Sequence, residues 1–296
     1  MTRFSALAVV WLLAGCPERA LEVPEDIGLP GDARFDLSTD LPSDFSQLRP
    51  NTCPAGTEFI FTVDENRNLS RFNPVTQQFF DVGFVDCPAP TSATPNSMAI
   101  AHDGTGWVNY SNGALFRVQT KTASCSGTQF TIGQQGFLSF GMSFAQNTPG
   151  SVDETLFISP TQSTNGFLST INLATFKLQN TIPLAIDADG ELTGDGVGNL
   201  WGFFPSINPP RVARIDKKTG ALDRVVQLPQ LSGQARAWGF AAWRSDFYIF
   251  LERQNDPSTG IYLLDGSTGA LTTVIDATGR RIVGVGVATC AGDGLD

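Results

Sequence analysis

A short motif returns five times along the chain. An Asp, Asn or Gln is followed three residues later by Thr, and three residues after that by an apolar residue. The copies are Asn73-Thr76-Phe79, Gln119-Thr122-Cys125, Asn172-Thr175-Leu178, Asp216-Thr219-Leu222 and Asp265-Thr268-Leu271. The anchors lie 46, 53, 44 and 49 residues apart. Repetition at that period marks a fold built from equal units, and these units read as strands. The residue before each anchor is apolar (Phe72, Val118, Ile171, Ile215, Leu264), and so is the residue four before it (Leu69, Leu115, Leu168, Val212, Ile261). The two offsets have opposite parity, so in a strand they point to opposite faces. Both faces are therefore buried, as in sheets stacked between neighbours.

The anchor and its Thr suit a tight hairpin, because Asx side chains bond nearby backbone groups and Thr does so more weakly. Gly220 and Gly269, after the Thr in two copies, supply a positive φ. Each motif thus reads as the hairpin between the third and fourth strands of a unit. Second strands are predicted at 58–63, 106–110, 155–159, 199–204 and 246–251. First strands, rich in Gly and Ala, are predicted at 97–101, 140–145, 191–197 and 238–242. Small residues fit where backbones crowd near an axis. The first unit lacks such a run upstream, but 282–289 (IVGVGVAT) offers one. The last strand then completes the first unit and closes a ring without open sheet edges between its ends. The expected fold is all-β: a β-propeller of five four-stranded blades, closed by pairing of N- and C-terminal strands. Six blades are the alternative if 133–154 hides another unit, and a two-sheet sandwich is the bland one. With 41% apolar and 10% aromatic residues, the chain can bury one large core.

The N-terminus reads MTRFSALAVVWLLAGC. Arg3 precedes an apolar stretch too short to span a bilayer as a helix. Leu13-Ala14-Gly15-Cys16 resembles a bacterial lipobox. That resemblance implies a signal peptide over 1–15, lipidation (palmitate and related acyl chains) on Cys16, and stable anchoring by several chains. Pro17 follows where some enterobacterial lipoproteins carry an inner-membrane Asp, so the outer membrane is the expected address, facing periplasm or surface. Residues 17–50 hold eight acidic residues against three Arg, with Pro24, Pro30, Pro42 and Pro50 interspersed. Such a stretch reads as a solvated tether. The domain reading is therefore 16–50 lipidated Cys and acidic tether, 51–292 propeller and 293–296 tail. As a whole the chain is similar to bacterial lipoproteins that combine an acidic tether with a disulfide-closed propeller.

With Cys16 lipidated, Cys53, Cys87, Cys125 and Cys290 remain, an even number in an exported protein. Cys53 precedes the first strand and Cys290 ends the last, and in a closed ring those positions meet. The expectation is Cys53–Cys290, with Cys87–Cys125 left by elimination. A buried free thiol is the alternative for Cys125.

Chemistry is sparse. The single histidine, His102, sits in a His-Asp-Gly turn, and no G-x-S-x-G elbow accompanies it. Among first strands only the fourth unit carries acids, Glu191 and Asp195, and one blade cannot easily flank a sugar with two carboxylates. Asp187, Asp189, Glu191 and Asp195 alternate with small residues as a possible Ca²⁺ set, though without EF-hand spacing. Asp195-Gly-x-Gly-Asn199-Leu-Trp201 resembles a turn of lactonase-like and NHL-like propellers, where it is a structural hairpin between the first two strands. From Cys16 onward, 18 Lys and Arg face 29 Asp and Glu, a field that repels nucleic acid. The aromatics read as core. Trp238, on a first strand, is the exception that could line the channel mouth and stack on a sugar or peptide.

The functional expectation is a membrane-anchored, non-enzymatic module that binds an envelope protein or a glycan through a face of the ring. No cofactor is expected beyond the Ca²⁺ reading. The loops 146–154 and 204–211, with Asn147 and Asn208, are the least repeat-like and are nominated for binding. The alternatives are a propeller hydrolase, lactonase-like or glycosidase-like with Ca²⁺, and a structural part of an envelope assembly. Oligomeric state is not readable.

Overall fold

The computed structural model describes residues 53–161 and 166–291. Cys16, the tether and the tail lie outside them. Five four-stranded antiparallel sheets form a ring. Strands β1 (Ile60–Asp64), β2 (Asn68–Asn73) and β3 (Gln78–Phe84) begin blade one. Blade two holds β4 (Pro95–Ile100), β5 (Thr105–Tyr110), β6 (Leu115–Gln119) and β7 (Cys125–Gly127). Blade three holds β8 (Phe140–Gln146), β9 (Glu154–Pro160), β10 (Phe167–Asn172) and β11 (Lys177–Pro183). Blade four holds β12 (Glu191–Gly194), β13 (Leu200–Phe204), β14 (Arg211–Ile215) and β15 (Leu222–Gln227). Blade five holds β16 (Ala235–Trp243), β17 (Asp246–Arg253), β18 (Gly260–Leu264) and β19 (Leu271–Ile275), and β20 (Ile282–Gly286) returns to blade one. There β20 pairs with β1 in the order β20-β1-β2-β3. The five-bladed reading holds, and among the described residues neither a sixth blade nor a sandwich forms. The 133–154 stretch contributes a 3-10 turn at Gln134–Gly136, β8 and the turn after it.

The five motifs are the five outer hairpins. Each anchor carbonyl accepts the N–H four residues on: Gln77, Ala123, Phe176, Gly220 and Gly269. All five acceptor-turn residues are left-handed, with φ of 57°, 59°, 54°, 70° and 72°. In four copies the anchor Oδ1 also accepts the N–H groups two and three residues on, as Asn73 does from Val75 and Thr76, and likewise Asn172, Asp216 and Asp265. The side chain thus satisfies backbone donors that the turn leaves open.

Both faces of the inner strands are buried; β1, β5, β8, β12 and β13 are buried at every residue. Aromatics from neighbouring sheets fill the gaps, such as Phe72 against Phe250 and Tyr248 and Phe203 against Phe240. Innermost strands approach closely enough to exclude side chains. A Cβ on Gly194 would stand 2.2 Å from the Phe144 carbonyl oxygen, and one on Gly141 2.2 Å from that of Gly190. Hydroxyls stitch the same strands together: Ser143 Oγ accepts from Gly194 N, and Thr193 Oγ1 from Ala242 N.

Two disulfides fix the ring. Cys53–Cys290 spans a separation of 237 residues and Cys87–Cys125 one of 38. The first locks the closing blade; the second ties the segment after β3 to the outer strand of blade two. Cys125 is therefore not a free thiol.

Candidate functional site

Antiparallel alternation sorts the loops. First-to-second turns and third-to-fourth hairpins gather on one face of the ring, here the hairpin face. Second-to-third turns and the connections between blades gather on the other, the connection face. Each face has a concavity.

On the hairpin side a cleft of about 910 Å³ opens between blades four and five. Trp201, Val212, Phe247 and Leu264 form its floor. Trp201 and Phe247 lie 4.8 Å apart between ring centroids, and Phe240 stacks behind Phe247 at 5.4 Å and 19°. One wall is the outer strand β15, with Arg224, Val225 and Gln227 exposed. The other is the hairpin of blade five, Asp265–Gly269. Asp265 accepts from Ser267 and Thr268, which holds its carboxyl down at about 2. Asp195 braces the floor. Its Oδ2 accepts Trp201 Nε1 at 2.9 Å and Asn199 Nδ2 at 2.8 Å, while Oδ1 accepts the backbone of Val197 and Asn199. Its carboxylate is thus occupied by turn donors, as the D-G-x-G-N-L-W resemblance implied.

On the connection face the central channel opens in a cavity of about 120 Å³, where Asn96, Ser111, Thr161, Arg236 and Trp238 surround Glu191. Glu191 is 1% exposed. Its Oε1 accepts Ser97 Oγ at 2.6 Å and Met142 N at 3.0 Å. Burial outweighs those bonds and pushes the carboxyl up to about 8, so it holds its proton at neutral pH.

The sequence-nominated residues scatter. Among the described residues no group of three or more His, Cys, Asp or Glu side chains could hold a metal ion. Asp187 accepts the Gly166 N–H, Glu191 is sealed beneath the channel mouth, and Asp195 serves the turn. Asn147 lies in the turn between β8 and β9, where it accepts Thr155 Oγ1. Asn208 lies between β13 and β14, where it accepts Ser232 Oγ. The 146–154 and 204–211 loops therefore sit on opposite faces and do not form one surface. Trp238 does line the channel mouth. His102 occupies its turn, and its backbone N–H donates to Glu154 Oε1 at 2.6 Å. Burial raises the Glu154 carboxyl to about 7. Thr289 donates to its other oxygen, so Glu154 joins blades two and three to the segment after β20.

Three lining residues escaped the sequence reading. Arg224 and Val225 fall in a register shift on β15, and Arg236 in another on β16. The parity of Arg236 with Trp238 was visible, but an extra residue in a strand is not.

This geometry defines a five-bladed β-propeller with a cleft between blades four and five and a cavity at the channel mouth. No family model matches the chain, and no curated protein matches it. Solved structures with similar folds include a chain of the nidogen/laminin complex (12% identity, 77% of this chain and 80% of that one, TM-score 0.49). TolB from Acinetobacter baumannii is 12% identical, over 75% of this chain and 54% of that one, with a TM-score of 0.46. Virginiamycin B lyase from Staphylococcus aureus is 13% identical, over 73% and 68%, with a TM-score of 0.42. At such identities the likeness concerns the fold alone.

Proposed function

We propose that this chain is a lipid-anchored binding module of the bacterial outer membrane, which docks an extended segment of a partner protein in the cleft between blades four and five. The observation that carries the reading is the cleft itself: about 910 Å³, floored by the Trp201–Phe247 pair and running beside β15. β15 ends its sheet, so its outer backbone edge has no strand partner. An extended chain can add to such an edge through main-chain hydrogen bonds and send alternate side chains onto the apolar floor. The mixed rim of Arg224, Gln227 and Asp265 offers donors and acceptors of both kinds. The address rests on the lipobox resemblance of Leu13–Cys16; the two disulfides, which persist in oxidising compartments, support export from the cytoplasm but bear on no particular membrane.

The test is photo-crosslinking in intact cells from a probe at position 225, with the captured segment sequenced. Val225→Arg with Ser267→Arg, both at exposed positions, should remove the capture and leave the circular dichroism spectrum unchanged. A captured peptide made synthetically should bind the purified chain and lose at least about tenfold on the double variant. Capture unaffected by the double variant would sink the cleft assignment. Release of the protein from membranes only with Cys16→Ser tests the anchor separately.

A further inference from the structure

We propose that the mouth of the central channel is a second, independent binding site, for a small carboxylate no larger than one acidic sugar residue. It lies on the connection face and shares no lining residue with the cleft.

Two β-bulges build this mouth. On β4, Pro95 pairs with Tyr110 and Ser97 with Asn109, so Asn96 is the extra residue. On β16, Ala235 pairs with Arg253 and Ala237 with Glu252, so Arg236 is the extra residue. A bulge re-aims the inserted side chain. In both blades the inserted residue lines the same cavity. The two strands depart from regular pairing at their first residues and put an amide and a guanidinium at one opening.

The charges there do not cancel. Arg214, Arg253, Arg280 and Arg281 each meet a carboxylate. Among the described residues the Arg236 side chain has no hydrogen bond or ion pair. The acid below it, Glu191, is spent on Ser97 and Met142 and carries its proton. The mouth thus presents one net positive charge beside a neutral acid. The indole of Trp238 supplies an apolar wall, and Thr94 and Ser111 supply hydroxyls.

A cationic ligand would face Arg236, and a wholly apolar one would strip water from the guanidinium without replacing it. A carboxylate matches the planar fork and its single charge. A phosphate dianion would bring more charge than one Arg offsets. The cavity of about 120 Å³ limits the ligand to a small head or a single ring.

Titration calorimetry of the purified full-length chain at pH 7.5, where inorganic phosphate is mainly the dianion and Glu191 still mainly holds its proton, tests this with three probes: galacturonate, galactose and inorganic phosphate. Galacturonate should bind at least about tenfold more tightly than either of the others, the scale of one charge-assisted pair. Arg236→Gln should erase the preference, and Arg236→Lys should keep part of it. Both leave an exposed site without described contacts, so the circular dichroism spectrum should match that of the parent. Trp238→Ala should weaken galacturonate as well. Equal affinity for galacturonate and galactose, tighter binding of phosphate, a preference that survives Arg236→Gln, or no binding of any probe would each overturn the assignment. None of these outcomes bears on capture through the cleft.

Discussion

Glu191 of blade four accepts a hydrogen bond from Ser97 of blade two at 2.6 Å, reaching past blade three, whose Met142 N–H donates to the same oxygen. Three innermost strands are thus held by one carboxyl that is raised to about 8.

This linkage makes stability depend on pH. A carboxyl whose folded pKa lies above its unfolded value contributes fully below the unfolded value and loses that contribution as pH rises through the folded one. For Glu191 the window runs from the ordinary carboxylate range up to about 8; for Glu154 it ends near 7. The melting temperature should fall by about 5 °C or more between pH 5 and pH 9. Glu191→Gln should flatten most of that fall. An equally steep fall in the variant would show that another group is responsible.

The two glycines of the outer hairpins should respond differently to substitution. A Cβ on Gly220 would stand 2.0 Å from the Pro183 carbonyl oxygen, whereas one on Gly269 meets only Val226 Cγ1 at 3.7 Å. Gly269→Ala should cost about 1 kcal/mol, the strain of a left-handed alanine. Gly220→Ala should cost about 3 kcal/mol or more, since backbone must also move. Urea unfolding of the two variants checks the order.

Gln77, Ala123 and Phe176 hold the same left-handed position without being glycine. Gln77→Gly should leave stability unchanged or raise it by up to about 1 kcal/mol, because relief of strain competes with the greater entropy of unfolded glycine. A loss of more than about 1 kcal/mol would mean that the Gln77 side chain matters to the turn.

The two disulfides should differ in worth. By loop-closure entropy, a 237-residue separation is worth about 5 kcal/mol and a 38-residue one about 4 kcal/mol. Paired Ala replacements at Cys53 and Cys290 should therefore destabilise more than those at Cys87 and Cys125. They should also raise amide exchange in β20 and β1. Exchange confined to the segment near Cys87 in both variants would contradict the closure role.

The ring was legible because its cause is periodic. Five anchors, two apolar positions of opposite parity and small-residue first strands each follow from a constraint repeated in every blade. Ring closure by 282–289 was legible because the first unit lacked an inner strand. What could not be read were departures from period two. Bulges at Asn96 and Arg236 insert a residue without changing composition, and they decide what faces the channel mouth. The acids at 187–195 were close in sequence, but strand geometry sent Glu191 into the axis and Asp195 to the far end of β12. Asn147 and Asn208 looked alike as loop residues, yet a count of strand reversals puts them on opposite faces.

The pairing of β20 with β1 also sets an order of assembly. A chain emerging from its N-terminus delivers β1–β3 first, and these stay an unfinished sheet while four complete blades follow. The Cys53 thiol must wait for Cys290, near the end of the ring, to find its lasting partner. Oxidation of that pair therefore acts as a completion mark. A product cut short before Ile282 would lack the partners of both Cys53 and β1, leaving a free thiol beside an unpaired strand, which is the kind of flaw a quality-control protease or oxidoreductase can detect.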